Sequence, residues 1–457
     1  MLKGYSYMFP SARTGAALAI LCWLGGAWAA WAQIKERFPK PDFQSGYIRP
    51  DLQTPAPRSM AWEMADIAVL AAALAAATYL AHRTRSRRSI FLLMIFSLLY
   101  FGFFREGCVC PVGSVQNVFL ALFTPGYAVP FTVIAFFLLP LAFALLFGRT
   151  FCAAVCPLGM MQDVVILKPV RIPGRLADIL GAIPYIYLTL TLLFAATGAT
   201  FLTCRLDPFV GFFRFGATFP LVLFGISMLV LGTVVARPYC RFLCPYGVLL
   251  DWMSKLSWRH VKITPGECNN CRLCEDSCPF GAIRTPVLES PPPVGRMEVR
   301  RLAMQFLLLP AVVLAAGWAG AELHLVLARM HPVVSLAEEV LAHDAGKSGE
   351  VSDPVKAYRA SGKPLAELLS EADALQGRFR TGGWLAGGFL GLAFAWKRIH
   401  LLVRRKSPWY DLDRGACFSC GRCFSYCPYE KVRLGLIPPD AVPEPPENNN
   451  LNGKNHA

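Results

Sequence analysis

Apolar residues along this chain fall in long runs rather than at strand or helical periods. Eight runs are candidate spans, at about residues 14–32, 64–81, 90–104, 129–147, 178–200, 217–236, 302–320 and 382–402. Crossing a hydrocarbon core about 30 Å thick takes roughly 20 residues, because a helix rises about 1.5 Å per residue. The pattern therefore predicts an α-helical polytopic membrane protein with about eight transmembrane helices. The third run is the shortest, and Pro184 interrupts the fifth, which neighbouring helices in a bundle tolerate. The first run has a second reading. Ala27-Trp28-Ala29 and Ala30-Trp31-Ala32 both have the small-x-small form of a signal-peptide cleavage site, and cleavage would leave seven spans in the same orientation. Cys22 lies in this run and is expected to be a packed or lipid-facing thiol.

A different pattern marks the outer segment 321–380. Stretches 334–343 and 364–375 space Leu, Val and Ala at helical intervals with Glu and Asp opposite, predicting two amphipathic helices that lie on the bilayer or meet a partner. Ser290–Val294 reads as a proline-rich linker and 436–457 as a disordered tail.

Composition agrees with a membrane protein: 55% of residues are hydrophobic, 16% are charged and the mean hydropathy is +0.43. The net charge of +15 does not predict a nucleic-acid partner, because the basic residues sit beside spans, as positive-inside bias requires. Arg83, Arg85, Arg87 and Arg88 follow span two. Arg149, Lys168, Arg171 and Arg175 lie between spans four and five, and Lys397, Arg398, Arg404, Arg405 and Lys406 close span eight. These clusters put both termini in the cytoplasm, in a cytoplasmic (inner) membrane. Lys35, Arg37, Lys40, Arg49 and Arg58, in the loop 33–63, count against that orientation.

The sixteen cysteines carry the chemistry. Cys268-x2-Cys271-x2-Cys274-x3-Cys278-Pro279 and Cys417-x2-Cys420-x2-Cys423-x3-Cys427-Pro428 each have the bacterial ferredoxin spacing. Two-residue gaps let three thiolates converge on one cubane, and the fourth cysteine of such a run ligates the other cluster of the pair. The spacing thus assigns Cys268, Cys271, Cys274 and Cys427 to one 4Fe-4S cluster, and Cys417, Cys420, Cys423 and Cys278 to another. Zinc sites rarely use four cysteines at these gaps. Spans seven and eight separate the two runs, and an even number of crossings returns the chain to its starting face. A two-cluster ferredoxin module, split by a transmembrane hairpin, is therefore expected on the cytoplasmic face.

A second motif repeats: Arg149-Thr150-Phe151-Cys152-x3-Cys156-Pro157-x-Gly159 and Arg237-Pro238-Tyr239-Cys240-x3-Cys244-Pro245-x-Gly247. Asp163 and Asp251 extend the match. Each copy follows a span and is expected to face the cytoplasm, where Cys152, Cys156, Cys240 and Cys244 could meet around a third cluster or another thiolate-bound metal. The alternative is redox-active or structural thiols at helix ends.

Cys108, Cys110 and Cys204 fall on the outer side. Cys108-Val109-Cys110-Pro111-Val112-Gly113 echoes the ending of the inner repeats with a shorter gap. A disulfide such as Cys110 to Cys204 is the ordinary expectation there, and a redox-active pair or partial metal site is the alternative. Haem is not expected, since His82, His324, His331 and His400 all lie singly near span ends. Nor is flavin, because Thr197-Gly198-Ala199-Thr200 lacks the upstream acidic residue of an attachment signal. No nucleophile or carboxylate pair points to substrate chemistry. Electrons leaving a cytoplasmic cluster for the outer face have about 30 Å of hydrocarbon to cross, so a carrier is needed between. A quinone is a candidate partner, with no residue assigned to it.

Repeated C-x3-C-P sites and a ferredoxin module split by a membrane hairpin resemble the NosR/NapH-like membrane polyferredoxins over about residues 100–430. The resemblance implies electron exchange between the quinone pool or a cytoplasmic donor and a redox partner protein, without substrate chemistry in this subunit. Two features depart from those relatives: no large outer flavin domain precedes the spans, and the outer C-x-C-P has an unusual gap. The expected organisation is a membrane core with the Cys-Pro repeats (1–236) and a stretch with the second C-x3-C-P site and first ferredoxin half (237–300). A transmembrane hairpin (301–402) with an extracytoplasmic cap (321–380), the second ferredoxin half (403–435) and the tail (436–457) follow. The leading reading is an electron-transfer subunit; the other is a maturation or redox-sensing factor for a respiratory metalloenzyme.

Overall fold

A computed structural model describes residues 59–107, 110–170, 172–263, 271–284, 296–346, 351–402 and 410–442. The first predicted span, Cys22, Cys108, Cys268 and the end of the tail lie outside them. The described chain is mostly helical, and four helices are long and apolar enough to cross a membrane: Met60–Thr84, Arg87–Phe104, Leu176–Ala196 and Val299–Glu322. The fourth and sixth apolar runs form Phe131–Phe147 and Phe219–Val234, which stop at 17 and 16 residues. The eighth is part of one helix of 38 residues, Leu365–Leu402. Pro184 falls in the first turn of Ile183–Ala196, where its missing N–H costs no hydrogen bond.

The short helices end where the chain turns back into the bundle. Gly148, at φ 78°, closes Phe131–Phe147; Arg237, at φ 49°, precedes Pro238–Phe242. The segments after these turns rise between the spans. Thr150 Oγ1 accepts from Thr78 Oγ1 at 3.3 Å, and Thr78 lies about 9 Å above the end of its helix at Thr84. Tyr246 Oη donates to the Phe137 carbonyl at 2.7 Å, about 15 Å above Phe147. Both C-x3-C-P copies are thus sunk within the helical layer. The short helices Thr150–Ala154, Pro157–Val164, Pro238–Phe242 and Pro245–Lys255 pack between the spans, with Cys156 and Cys244 at helix N-termini. Irregular backbone at such depth needs protein around it, and Thr150, Arg237 and Tyr246 are all buried.

The opposite end of the bundle does the same. Arg105 pairs with Asp66 at 2.6 Å and Thr203 with Thr191 at 3.0 Å, partners set back from the ends of their spans. Pro111–Phe123 and Leu202–Leu206 begin inside the layer.

Arg296–Glu322 and Leu365–Leu402 form the hairpin. Their seam is small: a Cβ on Gly320 would collide with the Gly383 carbonyl, and one on Gly387 with that of Ala316, so the backbones meet as small-residue helix pairs do in lipid. The cap differs from expectation. The second amphipathic stretch is the first part of the hairpin helix. Val334, Ala337 and Val340 of Pro332–Asp344 bury against Leu368, Leu375 and Phe379, and against Leu193 and Phe194 of the core. The apolar faces of the cap are covered by the chain itself.

Beyond the hairpin, strands Ile283–Arg284 and Asp411–Leu412 pair antiparallel, Ile283 opposite Leu412, and bring the two ferredoxin runs to one place.

Candidate functional site

Cys278, Cys417, Cys420 and Cys423 line one cavity, walled by Phe280, Ile283, Leu412 and Phe418. Three come from the second run and one from the first. In the complementary set, Cys271 lies near Cys427, and Cys274 is buried on Leu273–Ser277, near Cys423. Cys268 lies outside the described residues. Cys427 stands just before the first turn of Pro428–Arg433, so backbone N–H groups of Tyr429 and Glu430 point at its sulfur. The proline after the cysteine starts the helix without wasting a donor.

Cys152, Cys156, Cys240 and Cys244 line a second cavity. Its two halves are related by pseudo-twofold symmetry. Cys156 and Cys244 precede the first turns of Pro157–Val164 and Pro245–Lys255, and each takes the N–H of its motif glycine, Gly159 or Gly247. Those glycines face the arginine of the other copy: a Cβ on Gly159 would lie 3.3 Å from Arg237 Nη1, and one on Gly247 3.5 Å from Arg149 Nη2. Gln162 Nε2 donates to Cys240 Sγ at 3.2 Å, and Arg149 Nη2 to Cys152 Sγ at 3.9 Å. Arg237 donates to the Cys152 carbonyl at 2.6 Å.

The repeat aspartates diverge. Asp163 is buried and faces three guanidinium groups: Arg237 at 3.2 Å, Arg422 at 3.2 Å and Arg87. Burial alone would raise its carboxyl, but the three arginines hold it well below the usual carboxylate range. Asp251 instead pairs with Lys255 at 2.6 Å.

The two cavities are neighbours. Phe280 and Phe418 line the first, their rings 4.7 Å apart, and they pack with Cys152, Cys240, Cys278 and Cys420. Arg149 lies over the Phe418 ring at 4.3 Å and Arg237 at 5.6 Å. Two aromatic rings, backed by two buried cations, therefore pack against thiols of both groups. The arginines after span two complete the docking: Arg85 pairs with Glu430 and covers the Phe424 ring at 4.9 Å, and Arg87 donates to the Cys420 carbonyl at 3.1 Å. Sequence reading gave these only as topology signals.

Cys110 and Cys204 are free thiols, not the expected disulfide. The Gly113 N–H is taken by Cys110, and a Cβ on Gly113 would lie 3.2 Å from Cys204 Sγ, so the glycine lies close to both sulfurs.

Among the described residues, no three Cys, His, Asp or Glu side chains close on a point as the ligands of a single ion must. Four thiols ringing an open volume instead suit a cluster of several irons, whose corners each take one thiolate. Hydrogen bonds to sulfur and buried arginines suit the negative charge such a group carries.

The chain matches the 4Fe-4S binding domain in two forms, one at residues 129–175 and 217–264 and another at 261–284. The first spans both C-x3-C-P copies and the second the first ferredoxin run. The chain is 31% identical over 156 residues to the protein NirI of Paracoccus denitrificans, a match covering 31% of this chain and 23% of NirI. It is 27% identical over 193 residues to the uncharacterized protein MJ0750 of Methanocaldococcus jannaschii, covering 40% of this chain and 77% of that protein. MJ0749 of the same organism is 40% identical over 52 residues, 11% of this chain and 21% of its own. Less than a quarter of NirI and of MJ0749 is thus spanned. No solved structure matches. These likenesses bear out the resemblance to the NosR/NapH-like membrane polyferredoxins.

Proposed function

Because the chain carries 4Fe-4S binding domains beside apolar spans, we propose that it is a membrane-bound electron-transfer protein, relaying electrons between the quinone pool or a cytoplasmic donor and a redox partner. The observation that carries this reading is the Phe280–Phe418 pair, which packs against Cys278 and Cys420 of one group of four thiols and against Cys152 and Cys240 of the other.

Cys268, Cys271, Cys274 and Cys427 hold one 4Fe-4S cluster, Cys278, Cys417, Cys420 and Cys423 a second, and Cys152, Cys156, Cys240 and Cys244 a third. Such clusters supply one-electron chemistry at potentials set by charge, hydrogen bonds to sulfur and exposure to solvent. The chain's own residues do the rest. Thiolates fix the irons, and Gln162 and Arg149 hydrogen-bond to sulfur. Arg149 and Arg237 offset negative charge, and the phenylalanine layer excludes water. Eight spans with both termini and the ferredoxin halves in the cytoplasm accord with the basic clusters and with the hairpin that returns the chain.

Iron and sulfide counts with EPR test the reading, on purified protein and on a variant with Cys152, Cys156, Cys240 and Cys244 all changed to Ser. A loss of about four irons from the variant relative to the unmutated protein supports the cluster held by those cysteines; an unchanged count refutes it. In membranes, a relay shows quinol-dependent or donor-dependent cluster reduction. Intact respiration with loss of metal only from a client enzyme would instead establish a maturation role.

A further inference from the structure

The re-entrant segments at the other end of the bundle repeat the inner cavity. Cys110-Pro111-Val112-Gly113-Ser114-Val115-Gln116 has the order of Cys156-Pro157-Leu158-Gly159-Met160-Met161-Gln162, and the geometry repeats with it. Cys110 precedes the first turn of Pro111–Phe123 as Cys156 precedes that of Pro157–Val164, and each thiol takes the N–H of its motif glycine. Gln116 Nε2 donates to Cys204 Sγ at 3.3 Å, where Gln162 Nε2 donates to Cys240 Sγ at 3.2 Å. In both, the glutamine Oε1 accepts from the backbone N–H of the residue before that cysteine, Thr203 or Tyr239, at 2.9 Å.

The copy continues downstream. Cys204-Arg205-Leu206-Asp207-Pro208 parallels Cys240-Arg241-Phe242-Leu243-Cys244-Pro245 with one residue fewer, so Asp207 stands where Cys244 does. Its carboxylate accepts the Phe209 N–H at 2.9 Å, as the Cys244 thiol accepts that of Gly247. Asp207 is 2% exposed and acts electrostatically on both Cys110 and Cys204. Among the described residues, backbone N–H groups are its partners and no Lys or Arg pairs with it. Arg214 acts on Cys204, but the Asp207 carboxylate is met only by backbone N–H groups, an arrangement that positive charge from a bound group would stabilise.

We infer that Cys110, Cys204 and Asp207 ligate a further iron–sulfur centre, with a carboxylate in place of one thiolate, set back to back with the inner four-cysteine cavity. The inference rests on reading that inner cavity as a cluster site. Val112, two residues from Cys110, lines the inner cavity. Tyr239, next to Cys240, packs edge-on against Phe209 at 5.3 Å, two residues from Asp207. The Tyr239 hydroxyl is buried with no hydrogen-bond partner among the described residues. The two sites are thus separated by a layer of Val112, Tyr239 and Phe209, and together they place metal along the middle of the bundle, where a relay across about 30 Å of lipid needs it.

The test compares iron, sulfide, copper and zinc in the purified full chain with those in the double variant Cys110→Ser/Cys204→Ser. The expected result is a loss of about four irons with matching sulfide, while the EPR signals of the ferredoxin clusters persist; Asp207→Cys should keep the iron and alter the signal. In the unmutated protein, Cys110 and Cys204 should resist iodoacetamide until iron is chelated, a readout that holds even where the double variant does not fold. Unchanged iron in a folded double variant, loss of copper or zinc in place of iron, or alkylation before chelation overturns the inference. The inner variant, with Cys152, Cys156, Cys240 and Cys244 as Ser, separates the readings. Iron lost there alone sinks this site only, and iron lost in neither sinks both.

Discussion

Arg237 donates to Asp163 at 3.2 Å with both side chains fully buried, joining the arginine of the second C-x3-C-P copy to the aspartate of the first. Asp163 also meets Arg87 and Arg422, so one carboxylate ties two re-entrant segments, a span and the second ferredoxin half. Removing one partner of a buried pair costs about 3–5 kcal/mol. Asp163→Asn should therefore destabilise the protein by about that amount, read as a lowered thermal midpoint in detergent. Because its carboxyl is held below the range of the unfolded chain, this stabilisation is complete above about pH 4 and is lost as the pH falls further. The variant's midpoint should depend less on pH there than the parent's.

Gln162 hydrogen-bonds to Cys240 Sγ. A donor to a ligand sulfur stabilises the more negative, reduced form of a centre. Gln162→Leu should therefore lower the midpoint potential of the centre held by Cys240, on the order of 50 mV, about 1 kcal/mol for one electron. Redox titration followed by EPR measures it, and a rise would contradict the argument.

Glu430 is 2% exposed and faces both Arg85 and Arg433, the latter at 2.7 Å. Arg85→Ala leaves it one partner, so the expected cost is about 1 kcal/mol or less. Glu430→Ala leaves Arg85 without its carboxylate at the wall of the second ferredoxin half, and should loosen that half more. Limited proteolysis should cut the segment around Arg433 faster in the Glu430 variant than in the Arg85 variant.

The glycine seam of the hairpin is also testable. With the Ala316 carbonyl directly against Gly387, Gly387→Leu must push the helices apart. Because this hairpin returns the chain to complete the ferredoxin module, iron content should fall along with thermal stability, whereas Gly377→Leu, where a Cβ meets nothing, should preserve both.

Sequence alone made the apolar runs and the ferredoxin spacings legible, because lipid thickness and iron coordination each impose a local rule. Contacts between distant residues were hidden. Arg85 and Arg87 looked like orientation signals, yet they hold Glu430, Asp163 and the Cys420 carbonyl, partners that no local pattern relates to them. The packing of the C-x3-C-P segments between the spans was hidden because a span-length reading cannot tell a chain that leaves the bundle from one that turns back at Gly148 or Arg237. Gln116 and Gln162 did carry a signal that was not used: both stand six residues after the cysteine of a C-P-x-G motif. The cap was misjudged because an amphipathic face does not say what covers it.

The antiparallel pairing of Ile283 with Leu412 has a consequence for biosynthesis. Translation delivers the first ferredoxin run well before the hairpin and long before the second run, so on the ribosome its cysteines wait without the partner that Cys427 provides. On the proposed ligand assignment, loading of iron would follow synthesis of the second run, and a nascent chain stopped short of Cys417 would leave this module empty.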